Sequence, residues 1–502
     1  MGIARTTEGG GFFAIQSRGS RPDGELHWLW MTVFLITGLT LFRLAYCVYL
    51  DVLPDEAYYF QWSQHLDASY YSKGPGIAWT IAFGTWVFGD NVFGLRWLSV
   101  LLAAGTGWQL FLLARRFYGA RVGFFTVAVA ALIPIFAVGS VLMTIDPLSV
   151  FFWVWSANLF LDATEHDTPA RWALLGFAVG AGFLAKYTAA LQLVSFLLFI
   201  IWSPGHRRHW VNPRAFWAAG AFAFCTLPIL WWNAVNGWIT VTHLQERGRL
   251  DESVALNLTE FRQFFEQQAL VISPLLLVLV VWALVAALLR GRKTDAERYL
   301  LSLWAPVFVL YAVLALRDAG EANWPVPSYL GALPLAVAYW LGKCDRRRAW
   351  LWLVLPAVLA GFLMTTVLHE TRWLNLPRGS DPLDRVRGWE SFGASVDELR
   401  RRHRPDHLMG DRYQTTALLQ WYASGRPVAY IVPSGRIENQ YSFWPQLKTQ
   451  PGETVLFVTD QTDHGHIALG QRFARWTKVG SFTTHEYGRQ LKDYDVYLGV
   501  AK

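Results

Sequence analysis

Long runs of apolar residues alternate with short polar and basic connections over the first three quarters of the chain. A helix that crosses a bilayer needs about 20 residues, with a range of about 17–25. We therefore predict about eleven membrane-spanning helices, although a few runs are short by that measure. The runs fall at 28–50, 94–114, 122–143, 147–162, 171–185, 188–203, 215–235, 269–289, 299–316, 325–342 and 349–368.

The pattern changes at about residue 372, where short elements of alternating type replace the long apolar runs. Three stretches predict strands, namely His407–Gly410, Val428–Val432 and Thr454–Thr459. Two amphipathic stretches, Ser391–Arg404 and Thr415–Ala423, predict helices. We therefore expect a mostly α-helical protein in three regions: a disordered cytoplasmic tail over 1–26, a membrane domain over 27–371 and a small soluble α/β domain over 372–502.

Composition agrees with a polytopic membrane protein. The 502 residues are 53% hydrophobic and 16% charged, whereas soluble domains carry about 25% charged residues. The net charge of +7 comes from Arg and Lys between the apolar runs, which indicates membrane topology and anionic lipid rather than nucleic acid. The three cysteines, Cys47, Cys225 and Cys344, are scattered, so we expect neither a disulfide framework nor a cysteine metal site.

Basic residues fall on alternate connections between the apolar runs. One set of connections carries about three times as many Arg and Lys as the opposite set. The positive-inside rule then places the N-terminus in the cytoplasm. It places the connection after the first run, and the whole C-terminal region, on the outer side of the membrane.

Ionisable residues gather at the predicted outer face of the membrane. An ionisable group next to hydrocarbon is costly and is usually functional. Lysine supplies a point charge for phosphate, and a carboxylate can take a proton from an attacking hydroxyl. The pattern thus favours a site that binds a phosphate and activates a hydroxyl. The residues are Asp55, Glu56, Lys73, Asp146, Lys186, Glu321, His243 and Arg247.

Each of these residues also has a purely structural interpretation. Asp55 could cap an interfacial helix, and Asp146 could cap a membrane span. The Lys186 side chain could extend so that its charged end reaches the membrane–water interface. The tyrosines near Asp55 could form an aromatic belt at the same interface. Two polar-aromatic segments of the C-terminal region, 411–414 and 436–444, fit capping and surface packing better than acceptor binding.

Several short segments, taken together, resemble bacterial GT-C glycosyltransferases. The resemblance is to the branch related to protein O-mannosyltransferases and lipid A aminoarabinose transferase, and it covers most of residues 28–370. It implies a sugar donor linked to polyprenyl phosphate, chemistry at the outer face of the membrane, and inversion at the transferred sugar. The segments are Asp55–Tyr59, Gln61–Leu66, Tyr70–Pro75, Phe88–Arg96, Ala114–Gly119, Thr144–Pro147, Gly182–Thr188 and Glu321–Pro325.

The resemblance implies that Asp55 is the catalytic acid and that Lys73 holds the donor phosphate. We expect Glu56 or Asp146 as a second acid and Lys186 as a second cation. Adjacent residues on a helix point roughly 100° apart, so of Asp55 and its neighbour we expect Asp55 to face the cavity. The residues expected to line the substrate are Tyr58, Tyr59, Tyr71, His243, Arg247, Glu321, Asn323 and Trp324.

The chain departs from this branch at two positions. Lys73-Gly74-Pro75 stands where the family has Lys-Pro-Pro, and Tyr58 stands where the aminoarabinose branch has arginine. One phosphate-binding cation is therefore missing, which argues against aminoarabinose as the sugar. The acceptor is open between lipid A or lipopolysaccharide, another glycan and a protein. A divalent ion between Asp55, Asp146 and a phosphate is also left open, because no metal-ligand spacing requires one.

Two other classes of protein compete with the enzyme. A lipid or solute transporter would predict inverted repeats and polar groups near the bilayer midplane, and the sequence shows neither. A membrane scaffold or sensor would leave the loop with Asp55 and Lys73 unexplained.

Overall fold

The computed structural model of the chain describes residues 22–247, 256–433, 435–460, 469 and 473–502. The tail expected over 1–26 lies almost wholly outside the described residues, and its disorder stays a prediction.

The first part of the described chain is built from helices. In chain order they begin with α1 (Pro22–Tyr46), α2 (Pro54–Gln64), α3 (Gly76–Phe88), α4 (Val92–Tyr118), α5 (Ala120–Ala131), α6 (Pro134–Gly139), α7 (Ile145–His166) and α8 (Pro169–Ala185). They continue with α9 (Leu191–Trp202), α10 (Ala215–Val235), α11 (Ile239–Arg247), α12 (Leu258–Ile272), α13 (Pro274–Leu289), α14 (Asp295–Leu314), α15 (Val326–Arg346) and α16 (Leu351–His369).

Every apolar run predicted from the sequence contains a helix, but the helices differ in length. Within the described residues, five are long and apolar enough to cross a membrane, and a sixth results if α12 and α13 count as one span. The axes of α12 and α13 meet at 107°. The runs at 122–143, 171–185 and 188–203 form shorter helices, and Pro134 begins a new helix within the first of them. The structure is therefore a mostly helical membrane protein, and the count of eleven spans stays a prediction.

The polar segment after α1 forms two helices rather than an open loop. Pro54 is the first residue of α2. A backbone amide at this position has no hydrogen-bond partner within the helix, so proline costs nothing there. The chain then turns through Lys73-Gly74-Pro75 and enters α3. A side chain at Gly74 would collide with the Leu184 carbonyl of α8, so this turn lies directly against a neighbouring helix. Close backbone approach therefore explains the glycine at this position.

A fully buried ion pair holds α2 in place. Arg96 of α4 donates from Nε and Nη2 to the two carboxylate oxygens of Glu56, at 2.9 and 2.6 Å. The same carboxylate accepts from the backbone amides of Leu53 at 3.0 Å and Met143 at 2.7 Å. The Arg96 guanidinium also donates to backbone carbonyls between α1 and α2, including that of Leu50. The pair is stable in the interior because hydrogen bonds satisfy both charges.

The C-terminal region is a small α/β domain, as the sequence predicted. Strands β1, β2 and β3 are parallel, β5 pairs antiparallel with β3, and the order across the sheet is β2-β1-β3-β5-β4. The β4–β5 hairpin was not predicted, because β4 has a single buried residue and lacks clear apolar alternation. The elements are α17 (Trp389–His403), β1 (His407–Gly410), α18 (Tyr413–Tyr422), β2 (Ala429–Ile431), β3 (Thr454–Thr459), β4 (Phe473–Glu486) and β5 (Arg489–Ala501).

This domain packs directly on α2. Aromatic residues of both domains share one core, with Phe60 of α2 edge-on to Trp421 of α18 at 4.7 Å. Gln440 donates a hydrogen bond from its backbone amide to Tyr58 Oη at 2.6 Å, and its side-chain oxygen accepts one from the Tyr71 backbone amide at 2.7 Å. These polar contacts fix the position of the domain. The domain therefore forms the roof of a cavity whose walls are the membrane helices.

Candidate active site

A cavity of about 1300 Å³ lies between the membrane helices and the C-terminal domain. It brings together residues from α2, the turn before α3, α7, α11 and the segment before α15. Every predicted site residue except Glu56 lines it. These residues are Asp55, Lys73, Asp146, Lys186, Tyr58, Tyr59, Tyr71, His243, Arg247, Glu321, Asn323 and Trp324.

Glu56 was predicted as a possible second catalytic acid. Its position in the structure does not support that role. Its side chain is completely buried, and both oxygens are engaged by Arg96 and by backbone amides. It therefore holds α2 in position, while its neighbour Asp55 faces the cavity. The divergence of adjacent side chains on a helix accounts for this division.

Asp55 lies in the first turn of α2 without acting as its cap. Helix capping falls to Leu53 and the Glu56 carboxylate, whereas Asp55 Oδ1 accepts a hydrogen bond from Tyr413 Oη of the C-terminal domain at 3.3 Å. Burial raises the pKa of Asp55, and the positive charge of Arg385 and the hydrogen bond from Tyr413 partly oppose that rise. A carboxylate with a raised pKa is a stronger base when ionised.

Lys73 is a half-buried cation that lines the same cavity. Its ammonium group makes neither a hydrogen bond nor an ion pair with any residue in the described part of the chain. Burial, together with the charges of Arg247 and Lys186, lowers the pKa of Lys73 to about 8. An anion bound beside Lys73 would oppose both effects.

Asp146 and Lys186 form an ion pair rather than two free groups. Lys186 Nζ lies 2.7 Å from Asp146 Oδ1, and Asn323 Nδ2 donates to Asp146 Oδ2 at 2.6 Å. The contacts join the start of α7, the end of α8 and the segment before α15. Thr144 caps α7, so Asp146 is not the cap of that helix.

The cavity also holds a second pair of charges and two aromatic rings in contact. Arg247 Nη2 lies 3.3 Å from a Glu321 carboxylate oxygen, and its guanidinium lies 5.3 Å from the Trp324 ring centre. The His243 ring lies 4.6 Å from that of Tyr71. Burial, together with the nearby cations, lowers the pKa of His243 to about 4, so this imidazole is neutral at neutral pH.

Sequence reasoning missed four cavity-lining arginines, of which Arg387 and Arg412 lie in the C-terminal region and Arg385 and Arg43 are the informative cases. Arg385 lies in the turn Pro382–Val386, and its charge acts on Asp55. It had no distinguishing signal, because several charged residues surround it in the linker and only domain packing brings it to the cavity. Arg43 of α1 did carry a signal, namely a charge inside an apolar run.

Among the described carboxylates of the cavity, no group of three lies close enough together to hold a metal ion. Among the described residues, the only close group of three candidate ligands is Asp162, Glu165 and His166. It lies at the far end of α7 from Asp146, where Arg116 and Arg171 neutralise it. The divalent ion left open from the sequence therefore gains no support from the geometry of the cavity.

Comparisons with known proteins agree with this architecture. The family profile described as "Dolichyl-phosphate-mannose-protein mannosyltransferase" matches residues 72–232. Lipid A galacturonosyltransferase RgtD from Rhizobium johnstonii is 28% identical over 85% of this chain and 90% of its own length. An undecaprenyl phosphate-α-4-amino-4-deoxy-L-arabinose arabinosyl transferase from Pseudomonas aeruginosa strain LESB58 is 32% identical, but over only 37% of this chain and 36% of its own.

A solved structure extends the likeness to the whole fold. ArnT from Cupriavidus metallidurans in the apo state superposes with a TM-score of 0.62 at 16% identity, over 93% of this chain and 97% of that one. The relatives named above are glycosyltransferases, and the fold likeness extends over nearly the whole chain. The chain is therefore similar to the aminoarabinose transferases and the galacturonosyltransferase above, in agreement with the resemblance to GT-C glycosyltransferases seen in the sequence.

Proposed function

We propose that this protein transfers a sugar from a polyprenyl-phosphate-linked donor to an acceptor at the periplasmic face of the bacterial inner membrane. One observation carries the proposal: Asp55 and Lys73, which has no partner among the described residues, line one cavity, while Asp146 pairs with Lys186 and Arg247 with Glu321. The names of the relatives supply the substrate classes, which are an undecaprenyl phosphate sugar as donor and lipid A as acceptor.

Lys73 is the residue we assign to the donor phosphate. A phosphodiester beside the Lys73 ammonium would neutralise a positive charge that has no partner among the described residues. As the bond between sugar and phosphate breaks, negative charge grows on the departing polyprenyl phosphate. A cation already in position stabilises that charge without reorganising.

Asp55 is the residue we assign to the acceptor. Its carboxylate takes the proton of an acceptor hydroxyl while the hydroxyl oxygen attacks the anomeric carbon from the face opposite the phosphate. The carbon–oxygen bond to phosphate breaks, polyprenyl phosphate leaves with the electron pair, and the sugar is inverted. Tyr413 holds the carboxylate in place through its 3.3 Å hydrogen bond, so the C-terminal domain helps to position the base.

The Asp146–Lys186 pair has a positioning role in this scheme. Because the two charges satisfy each other at 2.7 Å, neither is free to act as a second acid or as a second phosphate ligand. Their pairing fixes the ends of α7 and α8 beside the cavity. The proposal also includes about eleven spans, a cytoplasmic N-terminus, a catalytic membrane domain over 27–371 and a periplasmic domain over 372–502.

Turnover by the purified protein tests the proposal. The full chain in proteoliposomes is given a set of radiolabelled undecaprenyl phosphate sugars with lipid A, and transfer of label is measured. We expect transfer in the wild type, loss in Asp55→Asn and Lys73→Ala, and wild-type rates in Glu398→Gln, which changes an exposed acid of α17. Uptake of the labelled lipid without transfer would instead support a transporter.

A comparison of cells with and without the gene would identify the acceptor. Mass spectrometry of lipid A and other envelope glycans, with and without the gene, would show the added sugar as a mass difference. A hydroxyl acceptor requires the base. An acceptor phosphate is already ionised, so Asp55→Asn would then retain substantial activity and the general-base assignment would be wrong.

A further inference from the structure

Arg43 is a lone charge inside the first membrane helix. It is the only Asp, Glu, Lys or Arg between Leu26 and Leu50. Its side chain is half-buried and makes no hydrogen bond, ion pair or ring contact with any residue of the described ranges. An unpaired charge at membrane depth is costly and is usually retained for a function.

Arg43 lines a branch of the cavity that lies between helices. Ile36 and Leu39 of α1 form one wall, and Met364 and Val367 of α16 form another. The two helices touch at their outer ends, where Tyr46 Oη donates to the His369 carbonyl at 2.7 Å. The branch below that contact therefore has apolar walls and one cation.

Small residues line the same cavity as Arg43. Ala103, Ala104 and Gly107 of α4 and Gly139 of α6 line the branch. A side-chain carbon built on Gly139 would meet no atom within 4 Å. The space can accept a headgroup beside the guanidinium and an acyl chain along the apolar walls.

Arg43 is not among the charged groups that act most strongly on Lys73. The charges that act most strongly on Lys73 are those of Arg247, Lys186, Asp146 and Asp55. Within the described residues, no charged side chain pairs with Arg43. A single phosphate at Lys73 therefore leaves Arg43 without a counter-ion.

We propose that Arg43 binds the phosphate of the acceptor lipid, whose acyl chains lie in the branch between α1 and α16. Guanidinium suits this role because its parallel N–H groups match two phosphate oxygens. The inference rests on the proposed function for the identity of the acceptor, a phosphorylated glycolipid. Binding can nevertheless be measured without turnover.

Lipid binding to the detergent-purified full chain tests this inference. Native mass spectrometry is used with undecaprenyl phosphate and with bisphosphorylated lipid A, separately and together. We expect the wild type to bind both at once. Arg43→Gln should weaken lipid A binding by about 10-fold or more, the loss expected for one charge-assisted hydrogen bond, and should leave undecaprenyl phosphate binding unchanged.

Three matched measurements separate phosphate binding from a structural role. Arg43→Lys should restore part of the affinity, and Gly139→Leu should weaken lipid A binding by filling the branch without touching the charge. Dephosphorylated lipid A should bind the wild type as weakly as intact lipid A binds Arg43→Gln. Arg292→Gln, an exposed arginine at the predicted cytoplasmic face, should change neither lipid.

Several results would overturn the inference. Loss of undecaprenyl phosphate binding in Arg43→Gln would assign the cation to the donor. Unchanged binding of both lipids, or no lipid A binding by the wild type, would leave Arg43 with an interfacial role only. If Arg43→Gln does not fold, unchanged binding in Gly139→Leu refutes the inference. Simultaneous binding without any sugar transfer would refute the proposed function and leave this inference standing.

Discussion

The charge state of Lys73 should set the alkaline limit of catalysis. Its pKa is lowered from 10.5 to about 8 in the unliganded cavity, chiefly by burial. Lys73 is charged below that pKa and neutral above it, so donor capture should be lost as pH rises through about 8. An ordinary surface lysine would stay charged over the same range.

The magnitude follows from the titration of one group. With a pKa of about 8, about nine-tenths of the Lys73 population is charged at pH 7 and about one-tenth at pH 9. If only the charged form captures the donor, kcat/KM at pH 9 should fall to about one-tenth of its value at pH 7. The bound phosphate favours the ammonium, so the alkaline limb of kcat should lie at a higher pH than that of kcat/KM.

Initial rates of sugar transfer between pH 6 and 10 give the alkaline limbs of both the kcat and the kcat/KM profiles. Lys73→Arg should lower the rate through altered geometry but should remove the limb near pH 8, because guanidinium stays charged throughout this range. Lys293→Arg, a conservative change at the predicted cytoplasmic face, is the matched control and should keep the wild-type profile. A limb that stays near pH 8 in Lys73→Arg would refute the reasoning.

Three further predictions concern the surrounding structure. Tyr413→Phe removes a hydrogen bond that lowers the pKa of Asp55, so the acidic limb of kcat/KM should move to higher pH; an unchanged limb would contradict this. Glu56→Gln leaves its buried arginine partner uncompensated and should cost about 3–5 kcal/mol of stability, measured as a lower unfolding midpoint in detergent. Gly176→Leu would collide with the backbone of α10 and should reduce the yield of folded protein. Gly220→Leu, where a side chain has open space, should be tolerated.

The sequence was most informative where a single segment carries the whole signal. The apolar runs located the helices of the membrane domain, and the strand at His407–Gly410 was placed with its correct bounds. Asp55 and Lys73 stood out because charges are rare in so apolar a chain. Helix α3 and the β4–β5 hairpin were not found, since their patterns merge with those of neighbouring segments.

Pairing between distant residues could not be obtained from the sequence. Nothing local distinguishes Glu56, which Arg96 neutralises in the interior, from Asp55, which faces the cavity. Asp146 and Lys186 were correctly expected near one another, but their ion pair changes what each can do. Arg385 and Tyr413 reach Asp55 only because the C-terminal domain packs on α2.

The sequence by itself determined that this is a helical membrane protein with a small α/β domain and a charged site next to the first span. Hydrophobicity and charge are properties of single residues, so one-dimensional patterns carry them. The tertiary structure decided which charges cancel and which stay available. That outcome depends on distances of a few ångströms between residues up to several hundred positions apart, and only the packed chain sets those distances.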